Sequence, residues 1–379
     1  MPRPSRPVQF AIAEQLSHLD AGTWTSLTRD AGVFMKPRFL SALERACPAN
    51  VSPRYALMSR DGVPLAAMVL QLVRVQGRLA ISQDAPLGAM AQLVDERALV
   101  LGNLAGWGQT GLALAEGADG ELVWREALGL LDRVRRFERP EGVINVSFVK
   151  DALLEEHEPA LRHQGFQRAP SGPDMVLDLA AFTSFDEYLG SLASKRRRSV
   201  KKTLEAVEQA GYVARPLSLE ELRAHETRLD ALYGEVWSNA DVRPLRLTGR
   251  FFVELQAAMG ADCVVLGLMK GAQLDGFGVC LRSGDAGVGY YLGFDRSVEA
   301  PLYQRLLTNI VEQGCAWRCS RMSMGRTTEE PKVLLGAKPG SPGLWVKHRT
   351  PPFNWAVGTL LGTIEPPKVP EHHVFKEVR

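Results

Sequence analysis

No run of about 18 uninterrupted apolar residues occurs in the 379-residue chain, so the sequence predicts no membrane-spanning helix. Charge of one sign is missing too. Forty-five Lys and Arg face 43 Asp and Glu, a net of +2, so any anion-binding role must rest on a local cluster. Cysteine is scarce and odd in number, five spread residues, which fits reduced thiols in a cytoplasm better than a disulfide framework. Only Cys315 and Cys319 are close in sequence. With no second pair or neighbouring His they read as buried thiols rather than a zinc site. The basic start around Arg3 and Arg6 leads into Ala11-Ile12-Ala13-Glu14, not into an apolar signal core. No P-loop, Ser-His-Asp set or metal-ligand spacing is present. These absences predict a cytoplasmic protein with no metal, no membrane partner and no DNA partner.

What is present is a repeat. Leu19-Asp20-Ala21 and the later Pro37-Arg38-Phe39-Leu40 recur at similar spacing as Leu229-Asp230-Ala231 and Gly249-Arg250-Phe251-Phe252. Each copy runs on into apolar segments around a turn, Asp61-Gly62 in the first and Lys270-Gly271 in the second, the signature of a β-hairpin. Residues 121–137 then carry helical apolar spacing ahead of the strand-like Val143–Phe148, and residues 302–313 precede Arg321–Met324 in the same way. The order predicts an α/β (α+β) fold of two pseudo-symmetric domains, each a mixed, mostly antiparallel sheet flanked by helices. The expected boundaries are 1–170, 171–355 with a basic helix at 185–210, and an irregular tail at 356–379.

Between the copies stands Phe185-Asp186-Glu187-Tyr188-Leu189, then Leu192 and Ser194-Lys195-Arg196-Arg197-Arg198, with Gly211-Tyr212-Val213 beyond. This stretch, with Gly289-Tyr290-Tyr291-Leu292-Gly293 and Pro301-Leu302-Tyr303, resembles the tandem-GNAT, FemA/FemB-like acyltransferases, related to the aminoacyltransferases of peptidoglycan bridges. The resemblance implies two GNAT-like domains and transfer of an activated acyl or aminoacyl group to an amine. In ordinary GNAT enzymes a glycine-rich turn opening a helix holds the coenzyme A pyrophosphate. Here that turn is Asp295-Arg296-Ser297-Val298-Glu299-Ala300, without a glycine pair. A second glycine-rich run, Gly106-Trp107-Gly108-Gln109-Thr110-Gly111, is an alternative phosphate cradle.

Six of the eight residues Lys195–Lys202 are basic. On a helix, Leu189, Ala193, Val200, Leu204 and Val207 form an apolar stripe, while Lys195, Arg198 and Lys202 point to solvent. Arg196 and Arg197 fall on the stripe's edges, where a guanidinium needs an anionic partner, either substrate or donor or else an internal salt bridge, and they are candidates for substrate binding. Tyr290 and Tyr291 lie in one strand, where alternation puts them on opposite faces. Both are candidates for protonating a leaving group or bonding the acyl oxygen. Asp295 is the candidate base, its pKa raised by apolar surroundings, or else a helix cap or a partner of Arg296. Glu329 and Glu330 are its rivals. Trp237, Asn239 and Arg243, in a polar loop, and Arg326, at a strand end, complete the candidate substrate-binding set, with no metal.

These readings together predict an acyltransferase acting by direct attack in a cleft between the two domains. Its cofactor would not be tightly bound: acyl-CoA or aminoacyl-tRNA would serve as co-substrate, with carrier protein or tRNA as alternative partners. The acceptor would be a small-molecule or peptide amine. The alternative is a non-catalytic tandem-GNAT binding protein that uses the basic helix to hold an anionic ligand.

Overall fold

Asp20 starts the first helix by accepting a hydrogen bond from Thr23 N at 2.7 Å, and Pro37 sits where the second helix can spare an N–H. A computed structural model of the chain describes residues 7–77, 95–150, 157–326, 328–340, 343–361, 369–370 and 372–376. Contacts divide it into two units. The first holds residues 1–171, 241–246 and 342–366, the second residues 172–240, 247–341 and 367–379.

The first unit runs β1 (Gln9–Ala13), α1 (Ala21–Leu27), α2 (Pro37–Arg45), β2 (Val51–Arg60), β3 (Val63–Gln76), β4 (Asp95–Leu101), β5 (Leu112–Leu114), α3 (Gly120–Phe137), β6 (Ile144–Lys150), α4 (Glu158–His163) and β7 (Gln167–Ala169). Asp119 caps α3 through Leu122 N at 3.1 Å, and its apolar row buries Val123, Ala127, Leu131 and Val134 against the sheet. The second unit runs β8 (Asp174–Asp178), α5 (Phe185–Ser191), α6 (Ser194–Gln209), β9 (Val213–Pro216), α7 (Leu219–Ala224), α8 (Glu226–Ser238), α9 (Gly249–Met259), β10 (Cys263–Lys270), β11 (Gln273–Ser283), β12 (Ala286–Phe294), α10 (Leu302–Ala316), β13 (Arg321–Ser323), α11 (Glu329–Val333) and β14 (Lys338–Gly340). Finally come β15 (Leu344–His348) and α12 (Pro351–Leu361).

Both sheets are built on the same plan. The first is ordered β1-β2-β3-β4-β6-β15-β7, with β5 also on β3; the second is β9-β10-β11-β12-β13-β8-β14. In each, an edge strand and helices lead to three antiparallel strands, and a helix then carries the chain to a parallel neighbour, β4 to β6 and β12 to β13. The repeat in the sequence is therefore a repeat of topology.

The strand between the last two is exchanged in connectivity. β8 follows directly on β7 yet pairs with β13 and β14 of the second sheet, while β15 follows β14 and pairs with β6 and β7 of the first. Trp345 of β15, 3% exposed, is thus part of the first unit's core. Three expectations change with this. Residues 342–366 return to the first unit instead of closing the second half. The segment after 355 is not irregular throughout, since α12 runs to Leu361 and Phe375 forms a bridge with Leu192. The basic helix is two helices, because Leu192 and Ala193 are extended where Ala193 N donates to Val374 O and Lys376 N to Ser191 O, both 2.9 Å.

Candidate functional site: a strand wedge and a basic helix

The parallel pairing of β12 with β13 covers only Ala286–Val288 against Arg321–Ser323. From Gly289 to Phe294, β12 has β11 as its strand partner and, among the described residues, no strand on the other edge. At this parting lies a bulge. Cys280 pairs with Gly289 and Gly278 with Leu292, so Tyr290 and Tyr291 together oppose Val279. The alternation expected from the sequence fails here. The two rings meet edge to face with centroids 4.5 Å apart, and Tyr233 of α8 stands 5.5 Å from Tyr291. α8 reaches that position because Gly293 has no Cβ: one would lie 2.6 Å from Tyr233 N.

Burial raises both phenols. Tyr290, buried among Phe251 and its tyrosine neighbours, is held far above its ordinary value, and Tyr291 is pushed up to about 12. The Arg326 charge opposes the shift at Tyr291. Both remain protonated near neutral pH, able to donate but not to act as bases.

Past β13 the chain adds more polar groups. Arg326 is half-buried and its Nε donates to Gly172 O at 3.2 Å. Thr328 adopts φ +57, a left-handed conformation that a β-branched residue rarely takes, at the cap of α11. Its hydroxyl bonds Tyr303, whose phenol is raised by burial and by Glu329. Lys332, one turn into α11, is 4% exposed. Burial lowers its ammonium to about 8 against the opposing pull of Glu329 and Asp174, the latter accepting from Ser323 Oγ at 2.6 Å. Glu329 is half-buried beside this lysine, while Glu330 is exposed.

Lys332 was not among the sequence candidates. Its signal was a single cation immediately before the apolar run Val333-Leu334-Leu335. A buried lysine of this kind is neutral in part near pH 8.

At Asp295 the shift runs opposite to the expected one. Arg228 Nη2 donates to it at 2.8 Å and to Asp275 at 2.7 Å, and Ser297 N donates to its other oxygen at 3.0 Å. These bonds hold its carboxyl below the ordinary range. Through Arg228 and Ser297 it links α8, β11 and the turn after β12.

The remaining candidates scatter. Trp237 ends α8, and Asn239 folds back on it, Nδ2 to Glu235 O at 2.6 Å. Arg243 belongs to residues 241–246, which group with the first unit. The glycines at 106 and 111 are explained by packing, since a Cβ on Gly106 would meet the Phe34 ring at 2.4 Å and one on Gly111 the Gly102 backbone at 3.0 Å. Among the described residues no group of three or more His, Cys, Asp or Glu could hold a metal.

α6 supplies a second feature. Ser194, Arg197, Arg198, Lys201, Lys202 and Glu205, spaced three and four apart on one helix face, line an open groove of about 650 Å³. The groove therefore includes Arg198 and Lys202, which the sequence assigns to plain solvent exposure, and leaves out Arg196. Arg197 Nη1 also donates to Gly190 O at 3.4 Å. Arg196 is half-buried and has no hydrogen-bond or ion-pair partner among the described residues.

Residues 128–304 match the FemAB-like family, described as peptidoglycan biosynthesis/recognition. The fold is that of the tandem-GNAT proteins, and the middle of the chain is similar to the FemAB-like family. The solved structures agree in fold at low identity. FemX is 10% identical with a TM-score of 0.56, over 90% of this chain and 99% of that one. A tandem GNAT protein from the clavulanic acid biosynthesis pathway is 13% identical with a TM-score of 0.52, over 91% and 99%. The C-terminal domain of a putative lysylphosphatidylglycerol synthetase from Agrobacterium fabrum is 10% identical with a TM-score of 0.52, over 90% and 94%. No curated protein matches the chain by sequence. The FemAB-like match takes in α6 and the bulged β12, and ends before β13, Arg326 and Lys332.

Proposed function

We propose that this chain is an acyltransferase that moves an activated acyl or aminoacyl group to an amine, with the chemistry in the β12–β13 wedge of the second unit. The observation that carries the reading is the bulged, open edge of β12 with Tyr291 on one side and Lys332 beyond β13. An acyl carbonyl laid along β12 would be polarised by strand N–H groups. The acceptor nitrogen attacks the carbonyl carbon, the new C–N bond forms, and the bond to the donor sulfur or ribose oxygen breaks. The proton lost by nitrogen passes to the neutral Lys332 amine, and the Tyr291 phenol supplies a proton to the departing group. Return of a proton from Lys332 to Tyr291 through solvent resets the site. No covalent enzyme intermediate is required.

The donor's anionic portion is assigned to the cationic groove of α6. In the turn after β12, Ser297 N already donates to the Asp295 carboxylate, so a donor held in the ordinary GNAT way is disfavoured. That same bond favours the second reading, a tandem-GNAT protein that holds an anionic ligand without turning it over.

A thermal-shift titration with coenzyme A, acetyl-coenzyme A and aminoacyl-tRNA tests the proposal. A ligand at 100 times its Kd stabilises the fold by about 2.7 kcal/mol. Stabilisation by a charged donor, followed by amide formation when amines are added, supports the transferase. Stabilisation without turnover across an amine panel supports the binding protein, and no stabilisation by any of the three removes the donor assignment.

A further inference from the structure

α12 is unlike an ordinary surface helix. Residues 351–361 contain no charged side chain, and none of them is buried. One side holds it in place: Asn354 accepts from His348 N and donates to Gly165 O, both at 2.8 Å, and Gly358 abuts Gln167. The other sides present Phe353, Trp355 and Leu360, which are 63%, 73% and 41% exposed. The outward surface is thus the apolar one, the reverse of the usual pattern.

Two further exposed apolar residues adjoin it. Arg349, just before α12, donates from N to Asn145 O at 2.8 Å and from Nε to Asn145 Oδ1 at 2.7 Å, which places the helix start beside the start of β6. Val143, two residues before Asn145, is exposed. Arg97 Nη1 donates to both Glu138 O at 3.4 Å and Gly142 O at 3.1 Å, tying the end of α3 to the same place, and there Phe137 is 82% exposed. The rim of Phe137, Val143, Phe353 and Trp355 is interspersed with the exposed Arg136, Arg139 and Arg349. Glu141 is the single exposed carboxylate within residues 136–145 and 349–361.

We infer that this rim of the first unit docks on the surface of an anionic lipid bilayer. Exposed aromatic rings beside arginines suit the boundary between headgroups and acyl chains, where apolar burial and attraction to anionic lipid act together. Eleven residues are too short to cross a bilayer, so α12 would lie in the plane of the surface. A second copy of this chain is the less suitable occupant, because its own arginines would face those already on the rim. A hydropathy window cannot find such a site, since the signal is exposure and not length.

The test is co-sedimentation of the full chain with phosphatidylcholine vesicles, with and without phosphatidylglycerol. The expected result is binding to the anionic vesicles that weakens with added salt, with little binding to the neutral ones. Phe353→Ser and Trp355→Ser, both at exposed positions, should each lower the bound fraction several-fold, and Trp355→Phe should keep binding. Arg349→Gln with Arg136→Gln should flatten the salt dependence. A chain that stays in solution with both vesicle types overturns the proposal, as does unchanged binding by the serine variants. Light scattering that shows a dimer dissolved by Trp355→Ser, with no vesicle binding, would assign the rim to a second copy instead.

Discussion

The rings of Tyr290 and Tyr291 stand 4.5 Å apart, although neighbours on a regular strand point to opposite faces. A bulge against Val279 brings them together at the place where β12 loses its parallel partner. One ring becomes core and the other remains half-buried at the open edge. Tyr290→Ala should therefore cost about 3–5 kcal/mol of stability, as for other large buried side chains cut back to Ala. Tyr291→Phe should unfold at close to the parent's denaturant midpoint yet lower kcat, with donor Kd unchanged. Chemical denaturation beside steady-state kinetics separates the two, and a Tyr291→Phe variant with full kcat removes the phenol from the reaction.

Lys332 carries a pH signature. Its folded value, about 8, lies below the ordinary 10.5. Between those values the unfolded chain binds the extra proton and the folded chain does not, so this group's contribution to stability rises as pH climbs from about 8 to 10.5. Below pH 8 its burial costs the full amount, about 3 kcal/mol at 1.36 kcal/mol per unit. Lys332→Met keeps the volume and removes the charge, so it should be more stable than the parent near pH 7, with the difference closing towards pH 10.5. Urea unfolding of both proteins at several pH values checks this. In turnover, the parent's rate should climb through pH 8, and Lys332→Met should lose that limb and fall by about 10²–10⁴.

Asp295 gives the opposite sign. The Ser297 and Arg228 bonds depress its carboxyl, so its contribution is present above the ordinary carboxylate range and is lost as pH falls through the lowered folded value. Asp295→Asn should lower stability by about 1–2 kcal/mol at neutral pH, with Arg228 keeping its Asp275 partner, and leave kcat within a few-fold. A loss of kcat by orders of magnitude at unchanged stability would restore the catalytic base.

Much of this molecule was legible in the sequence because its cues are local. The turn at Asp61-Gly62 and the apolar rows of α3 and α10 each lie within a few residues of what they specify. The repeat then gave the order of elements. What escaped is set by pairing across long separations. The bulge at Tyr290 arises from registry with β11, the break at Leu192 from Phe375, and the place of β15 from β6 and β7 nearly two hundred residues earlier. The direction of the Asp295 shift was misread for the same reason, since Arg228 is 67 residues away. Arg196 and Arg197 were correctly placed as half-buried, because helical periodicity alone decides that.

The exchanged strand makes a prediction about folding. A chain ended after Gly340 keeps every strand of the second sheet and loses β15 from within the first. Circular dichroism and limited proteolysis should show the first unit unfolded and residues 172–340 protected. Trp345→Ala in the full chain should cost about 3–5 kcal/mol.

On α6, Arg198→Gln and Lys201→Gln should each weaken binding of the charged donor. If the donor is tRNA, each should reduce the slope of log K against log salt by about 1. A coenzyme A donor would show a much shallower salt dependence in both parent and variants.

Where the donor binds decides whether the wedge is the reaction site. Hydrogen exchange of the full chain, free and then saturated with coenzyme A, acetyl-coenzyme A or aminoacyl-tRNA, reads this at the backbone amides. The wedge predicts slowed exchange at residues 289–294 and 328–333, together with α6. Slowed exchange confined to the first unit, or to α6 with none along β12, would contradict it.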